Sequence, residues 1–232
     1  MEPSGIDAGF LFLDDVHYFL QVGESDAYFT MRNSFQELAR RECNFSLILT
    51  GPKILFAEVT ELAEPFTRFF HPFYLEPFDF KGTKDAINKR ILANNLKLQV
   101  SEDTISAVHE KSRGYPYFVM FIMRELINML GIEKRVSLED FYQCWPSVVS
   151  IMEKTVFKGR LSKVSEKEKE VLINISKLDE ATISPSMVKG IKGITEFFSR
   201  LERKALLIKE ERGQYTLFHP LFKDYLRKYA IS

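Results

Sequence analysis

Residues 9–15 read Gly-Phe-Leu-Phe-Leu-Asp-Asp, an apolar run that ends in two adjacent carboxylates. A second apolar run, Phe45–Leu49, ends in Thr50 and Gly51. Short uninterrupted apolar runs of this kind are typical of strands that are buried on both faces of a parallel sheet. Residues 26–42 carry apolar side chains at helical spacing. The sequence therefore predicts a strand, helix, strand unit of the α/β class with polar residues at the strand ends.

The pattern changes from α/β to helical near residue 80. A short apolar run predicts a third strand at Phe73–Leu75, where the flanking prolines limit its length. Ser137 and Asp140 form a capping-box pattern, which marks the start of a helix. The helices are expected at residues 83–94, 102–112, 117–130 and 138–157.

The C-terminal stretch follows a third pattern. Ser165 and Glu168 form a second capping box that opens a helix with its apolar residues on one face. Two apolar runs flank residues 211–214, which include Gly213 and predict a β-hairpin. The other elements expected are a short helix after Pro185, a helix at 195–204 and a closing helix at 220–229. Three helices followed by a hairpin are typical of a winged helix-turn-helix.

Composition bounds the class of protein. The chain has 232 residues, 45% of them hydrophobic, which excludes disorder and fibrous repeats and fits one or two domains. The 32 basic and 32 acidic residues cancel, so net charge gives no argument for nucleic acid or for an acidic membrane surface. Cys43 and Cys144 lie far apart, which favours buried reduced thiols over zinc or a disulfide framework. Without a membrane-length apolar run, a cytoplasmic protein with no membrane partner is expected.

The two carboxylates after the first strand are the sharpest chemical signal. In open α/β sheets, ligands bind beyond the carboxyl ends of the strands. In phosphoryl-transfer sites an aspartate at such a position holds Mg²⁺, and a neighbouring acid orients or deprotonates the attacking water. Asp14 is the predicted Mg²⁺ residue and Asp15 the predicted base. The alternative is that a strand-ending aspartate only caps the following helix.

The order of the later motifs resembles a known family. LFLDDVHYF, from residue 11, resembles a Walker B strand, and FSLILTGP, from residue 45, resembles a strand that ends in a sensor 1 residue. EPFTRFFHPFYLEPF looks like the approach to the last strand, and RGYPYFVMFIMREL is similar to the G-x-P element of a helical lid. The sequence thus resembles the AAA+/STAND class of P-loop ATPases, in particular the archaeal ATPase family and its replication-initiator relatives, from residue 9 onward.

The resemblance implies a fold and a set of domains. The fold is α/β followed by all-α: a partial P-loop ATPase parallel sheet from the Walker B strand onward, a helical lid and a C-terminal winged helix. The domain bounds expected are 1–80 for the partial ATPase core, 81–160 for the lid and 161–232 for the winged helix.

The resemblance also implies site residues and ligands. ATP and Mg²⁺ are the cofactors expected for the full-length parent, with Asp14 on the metal, Asp15 activating water and Thr50 as sensor 1. Arg68 falls where such proteins carry an arginine finger, which would require self-association across the nucleotide site; the alternative is a surface charge beside aromatic residues. Thr50 could also belong to a plain turn.

The lid element implied by the resemblance is Gly114 with Pro116, placed near the adenine. The two residues could instead mark only the end of one helix and the start of the next.

One departure from the family is prominent. A P-loop needs G-x-x-x-x-G-K-[ST], and no Gly-Lys-Ser or Gly-Lys-Thr occurs in the chain. In the family this loop precedes the Walker B strand, and only eight residues precede Gly9. A fragment of a longer ATPase is therefore favoured over a natural truncation that has lost hydrolysis. In either case the chain alone is not expected to hydrolyse ATP efficiently.

The function expected is an ATP-dependent molecular switch with a winged helix for contact with double-stranded DNA or a protein. Residues 161–232 carry 14 basic and 10 acidic side chains, a modest excess. The DNA-contact residues predicted are Arg200, Arg203, Lys204 and Arg212. Interleaved glutamates leave DNA and protein evenly balanced. A non-enzymatic winged-helix module for DNA binding or protein interaction is the alternative.

Overall fold

The computed structural model describes residues 8–16, 25–51, 70–133 and 135–230, with residues 25–28 described by their backbone alone. The chain divides between Leu75 and Glu76 into two compact units. Arg68, the predicted arginine finger, lies outside the described residues. The domain boundaries expected at residues 80 and 160 stay predictions.

The first unit contains the predicted strand, helix, strand arrangement. Its elements are β1 (Gly9–Leu13), α1 (Ser25–Arg40) and β2 (Phe45–Leu49). β1 and β2 pair in parallel and in register from Gly9 opposite Phe45 to Leu13 opposite Leu49. The prediction that both strands are buried is wrong, because Phe10 and Phe12 are 65% and 67% exposed. In the part of this unit that the structure describes, a single helix accompanies the two strands, and one helix cannot cover both faces of a parallel pair.

The strand predicted at Phe73–Leu75 is also wrong. Residues 70–79 contain no regular secondary structure, and the side chains of Phe73 and Leu75 are 84% and 98% exposed. Prolines at 72 and 77 remove two backbone donors and restrict the residues before them, so this segment has few groups with which to pair.

The described part of the second unit consists mainly of helices. Two short pairs of strands and one isolated bridge lie between them. Its first half comprises α2 (Phe80–Ala93), β3 (Gln99–Val100), α3 (Glu102–Ser112), α4 (Pro116–Leu130), β4 (Arg135–Val136) and α5 (Leu138–Met152). A π-helical turn (Glu153–Phe157) and α6 (Lys158–Leu161) continue α5. β3 and β4 pair in parallel. None of the described helices has the length and apolar composition needed to cross a bilayer.

The C-terminal part of this unit has the predicted order of elements. It comprises α7 (Glu166–Lys177), a 3-10 turn (Pro185–Met187), α8 (Ile194–Arg203), β5 (Leu207–Glu211), β6 (Gln214–Leu217) and α9 (Pro220–Tyr229). β5 and β6 form the predicted antiparallel hairpin, with Gly213 in its turn. Ile183 adds a single bridge to Tyr215 on the hairpin. Both predicted capping boxes are confirmed, at Ser137 and at Ser165.

A cluster of phenylalanines joins the two halves of the second unit. Phe118 of α4, Phe157 of the π-helical turn, Phe218 after β6 and Phe222 of α9 are all at least nine-tenths buried. The ring centroids of Phe157 and Phe222 lie 5.5 Å apart, and those of Phe218 and Phe222 lie 4.9 Å apart. Aromatic pairs at these separations stabilise a core beyond the area that they bury. The elements on either side of residue 160 therefore share one core.

His219 is buried at the edge of this cluster and caps α9. Its Nδ1 accepts a hydrogen bond from the backbone N–H of Leu221 at 3.2 Å, so Nε2 carries the proton and faces the Ser112 carbonyl at 3.3 Å. The ring lies 4.2 Å from that of Phe118, between centroids. The pKa of His219 is lowered to about 4, mainly by burial and in small part by the charge of Arg113. The hydrogen bond to Ser112 acts in the opposite direction.

This burial makes the stability of the second unit depend on pH. An unfolded chain takes up a proton at His219 near pH 6.5, whereas the folded chain does so near pH 4. The free energy of unfolding contributed by neutral His219 is therefore complete above about pH 7, and about 2 kcal/mol of it is lost by about pH 5. Urea unfolding at both pH values should show this loss.

The control is His219→Gln, whose side-chain amide can still donate to Ser112 but does not titrate. The free energy of unfolding also depends on pH through the carboxylates, in both proteins. The difference in this pH dependence between the native chain and the variant is therefore the contribution of His219. Identical pH dependence in the two proteins would show that His219 is not held neutral.

Candidate functional site

The carboxyl ends of β1 and β2 meet at one edge of the first unit. Parallel pairing in register brings the residues that follow the two strands side by side. The backbone N–H of Thr50 donates to the Leu13 carbonyl at 3.0 Å, and the N–H of Val16 donates to the Thr50 carbonyl at 3.0 Å. These bonds extend the ladder past the strand ends and fix Asp14 opposite Thr50.

The side chains of Asp14 and Thr50 are joined directly. The Thr50 hydroxyl donates to Asp14 Oδ1. The backbone N–H of Asp15 lies 3.1 Å from the same carboxylate oxygen and 3.3 Å from Thr50 Oγ1. Oδ1 thus has protein donors, whereas no described residue donates to Asp14 Oδ2. Both residues are exposed.

Asp15 redirects the chain at the end of β1. Its φ of 53° lies in the left-handed region, where aspartate is tolerated better than most other residues. The side chain is exposed. The three predicted residues Asp14, Asp15 and Thr50 therefore come together at one edge.

This arrangement fits a magnesium site. Mg²⁺ in nucleotide-dependent proteins is held by one or two carboxylates together with phosphate oxygens and water. Asp14 Oδ2 would be the protein ligand, while Thr50 orients the carboxylate through Oδ1. Among the described residues no group of three His, Cys, Asp or Glu side chains forms an all-protein metal site.

Gly114 and Pro116, the predicted lid residues, lie in the second unit. Gly114 has a φ of 71° and is buried between α3 and α4. Its carbonyl accepts a hydrogen bond from the backbone N–H of Phe78 at 2.8 Å. A Cβ at this position would lie 2.1 Å from the Phe78 carbonyl oxygen. Only glycine therefore allows this close contact.

Pro116 is the first residue of α4, where its missing N–H costs no helical hydrogen bond. Tyr115 precedes it as the N-cap and makes no side-chain capping bond. This structural role is sufficient to explain the Gly-Tyr-Pro sequence; contact with adenine stays a prediction.

Two of the predicted DNA-contact cations are engaged in ion pairs. Arg200 pairs with Glu196 one turn earlier on α8. Lys204 Nζ lies 2.8 Å from Glu168 Oε2 and 3.2 Å from the Lys163 carbonyl oxygen. Burial acts to raise the pKa of Glu168, but the hydrogen bonds from Lys204 and Ser165 are stronger in sum and hold that pKa below its usual range.

The other two predicted DNA-contact residues, Arg203 and Arg212, are exposed. Arg203 ends α8, and Arg212 lies in the β5–β6 turn next to Glu211. The four cations predicted to contact DNA are thus interleaved with acids in the structure as in the sequence.

Sequence reasoning gave no special place to His219. The sequence did carry one signal for its capping role. Proline favours the first position of a helix, so the residue directly before Pro220, His219, is expected to be the N-cap. Its second bond, to Ser112, joins residues 107 positions apart and left no local signal.

Structural comparison identifies the fold. The chain is similar to a Walker-type ATPase of Pyrococcus abyssi, with a TM-score of 0.63 and 17% identity over 94% of this chain and 63% of that one. The Orc1 protein of Aeropyrum pernix, solved in complex with DNA, matches with a TM-score of 0.50 and 15% identity over 94% of this chain and 63% of that one. A RuvB variant of Thermotoga maritima matches with a TM-score of 0.50 and 15% identity over 89% of this chain and 66% of that one.

These similarities support a P-loop ATPase-like fold. No protein family and no curated protein sequence matches the chain. The chain spans 63% of the length of the Pyrococcus ATPase that it resembles.

The contact between Gly114 and Phe78 predicts a large effect of a single methyl group. Gly114→Ala adds both strain at positive φ and an overlap with backbone, and we expect it to lower the free energy of unfolding by about 3 kcal/mol. Gly190→Ala is the matched control, because Gly190 has a φ of 84° with nothing within 4 Å of its added Cβ. That variant should lose about 1 kcal/mol. Urea unfolding measures both losses. If the two variants lost equal free energy of unfolding, the Phe78 backbone would have to move away from the added methyl group.

Proposed function

We propose that the chain forms the Walker B, lid and C-terminal parts of an AAA+/STAND-type ATPase that acts as an ATP-dependent molecular switch. The observation that carries this proposal is the bond between the Thr50 hydroxyl and Asp14 at the carboxyl edge of two parallel strands. The ATPase-like fold supports it independently.

Each residue of the edge has a role in this proposal. Asp14 would hold Mg²⁺, and the ion would neutralise the phosphate charge of bound ATP. Thr50 keeps the Asp14 carboxylate turned so that Oδ2 faces outward, and Asp15 orients or deprotonates the attacking water. A phosphate-binding loop of the Gly-Lys-Ser/Thr type is not among the 232 residues, so the nucleotide site needs a segment from elsewhere. Self-association through Arg68 stays a prediction.

The output of the switch is the C-terminal part of the second unit. A helix, a 3-10 turn, a second helix and a two-stranded hairpin, to which Ile183 adds a single bridge, support its identification as a winged helix. We propose DNA as its partner, with protein contact as the alternative. The glutamate partners of Arg200 and Lys204 weaken the case for DNA binding through α8 itself.

The second candidate function is a non-enzymatic module derived from an ATPase. The absence of a Gly-Lys-Ser/Thr motif from the sequence favours it. In that case the second unit binds its partner without regulation by nucleotide.

Photolabelling by azido-ATP distinguishes the two. The protein is purified from its own source through a tag at its natural C-terminus, so that any natural partner or additional segment is retained. Mg²⁺-dependent labelling is expected, and Asp14→Asn should reduce it by more than about tenfold. Thr50→Val should reduce it by about tenfold, because the carboxylate loses its orienting hydroxyl.

Asp85→Asn provides the matched control, since Asp85 is an exposed carboxylate of α2. This variant should be labelled like the native protein. Equal labelling of native protein and Asp14→Asn, or no labelling of either, would leave the non-enzymatic module as the function.

A further inference from the structure

The segment from Lys154 to Lys167, here called the basic strip, has an unusual distribution of charge. Its 14 residues contain five cations and one acid, Glu166. It runs from the π-helical turn through α6 to the first turn of α7. Lys154, Lys158, Lys163 and Lys167 are all exposed.

Three of the acids nearest the strip are already in ion pairs, whereas Glu170, which follows the strip on α7, is exposed. Glu166 bonds to Lys169 at 2.6 Å, Glu168 to Lys204 at 2.8 Å and Glu153 to Lys228 at 2.7 Å. Within the described chain, no acidic side chain pairs with the four exposed lysines of the strip. Their charge is therefore available to an external anion.

Apart from Glu166, the remaining exposed residues of the strip are small. They are Thr155, Gly159, Ser162 and Ser165. The apolar residues of the strip point inward: Phe157 and Leu161 are 0% and 3% exposed. An added Cβ on Gly159 would meet nothing within 4 Å, so the surface there is open.

This combination favours one class of partner. Membrane-binding segments place aromatic or aliphatic side chains beside their lysines, and protein interfaces use exposed aromatic anchors. The strip exposes neither. Lysine, serine and threonine side chains are among the groups that contact phosphate oxygens and sugars in protein–DNA complexes.

We propose that the basic strip binds the phosphodiester backbone of double-stranded DNA, without reading its sequence. The inference rests on the DNA contact proposed above and moves that contact from α8 to the basic strip. Lys204 adjoins the strip through the Lys163 carbonyl, but its ammonium group is held by Glu168. The strip thus supplies four exposed lysines that pair with no acid in the described chain, whereas Arg200 of α8 is paired with Glu196.

The salt dependence of DNA binding tests this proposal. Each phosphate contact adds about 0.9 to the slope of log affinity against log salt, so four lysines contribute about 3 to 4. The full chain is titrated into a fluorescent mixed-sequence duplex of about 20 base pairs, and anisotropy is followed between about 50 and 200 mM salt. Replacing the four lysines by glutamine should reduce the salt-induced loss of affinity by about 100-fold over this range.

Two matched variants complete the experiment. Lys→Gln substitution at 81, 89, 177 and 189 removes four exposed lysines elsewhere in the second unit and should leave the slope unchanged. Arg200→Gln with Arg212→Gln tests the surface predicted from the sequence and should have a small effect. Urea unfolding of each variant shows that the fold is retained.

Three results would overturn the inference. The four-lysine variant could keep the native slope, the arginine variant could abolish binding, or the native chain could fail to bind the duplex at about 100 μM. Binding only to vesicles with anionic phosphatidylserine would identify a membrane surface instead. None of these outcomes alters the photolabelling at Asp14, so failure of this inference is distinguishable from failure of the proposed nucleotide site.

Discussion

The second unit depends on the contact of four phenylalanine rings that come from distant parts of the chain. Phe118 and Phe157 lie before residue 160, and Phe218 and Phe222 lie after it. Because these rings are buried together, α4, the π-helical turn and α9 cannot separate without exposing a large apolar area. The cluster also fixes His219 against Phe118, and so brings the start of α9 to the Ser112 carbonyl. Packing of apolar rings thus determines where the polar contacts of the unit form.

Local sequence patterns were sufficient for most of the secondary structure. The capping boxes at Ser137 and Ser165 involve residues three positions apart, so both partners are visible in one short window. The glycine of the β5–β6 turn is equally local. The expected strand at Phe73–Leu75 fails for a different reason: strand formation requires a partner, and an apolar tripeptide between prolines carries no information about one. The same limit applies to the burial of β1, which depends on neighbours outside the run itself.

The candidate site shows a similar division between local and distant information. The strand-end position of Asp14 was evident from the apolar run before it, and parallel pairing then placed Thr50 beside it. By contrast, the position of Lys204 depends on Glu168, 36 residues earlier. The capping box predicted one role for Glu168, and no pattern indicated that the same carboxylate also holds a lysine from the end of α8. The cations predicted from the sequence to contact DNA therefore include Lys204, whose charge is already neutralised by Glu168.

Pairing, rather than net charge, decides where this neutral chain can attract a polyanion. Equal numbers of acids and bases leave the chain without a net charge to attract a polyanion. Acids that are fixed in ion pairs within the fold, such as Glu166 and Glu168, no longer cancel the charge of neighbouring lysines. A short segment with unpaired lysines then keeps a local positive potential at distances below the Debye length, about 10 Å at moderate salt. The distribution of ion pairs, which only the folded chain defines, is thus what separates the basic strip from the mixed surface of α8.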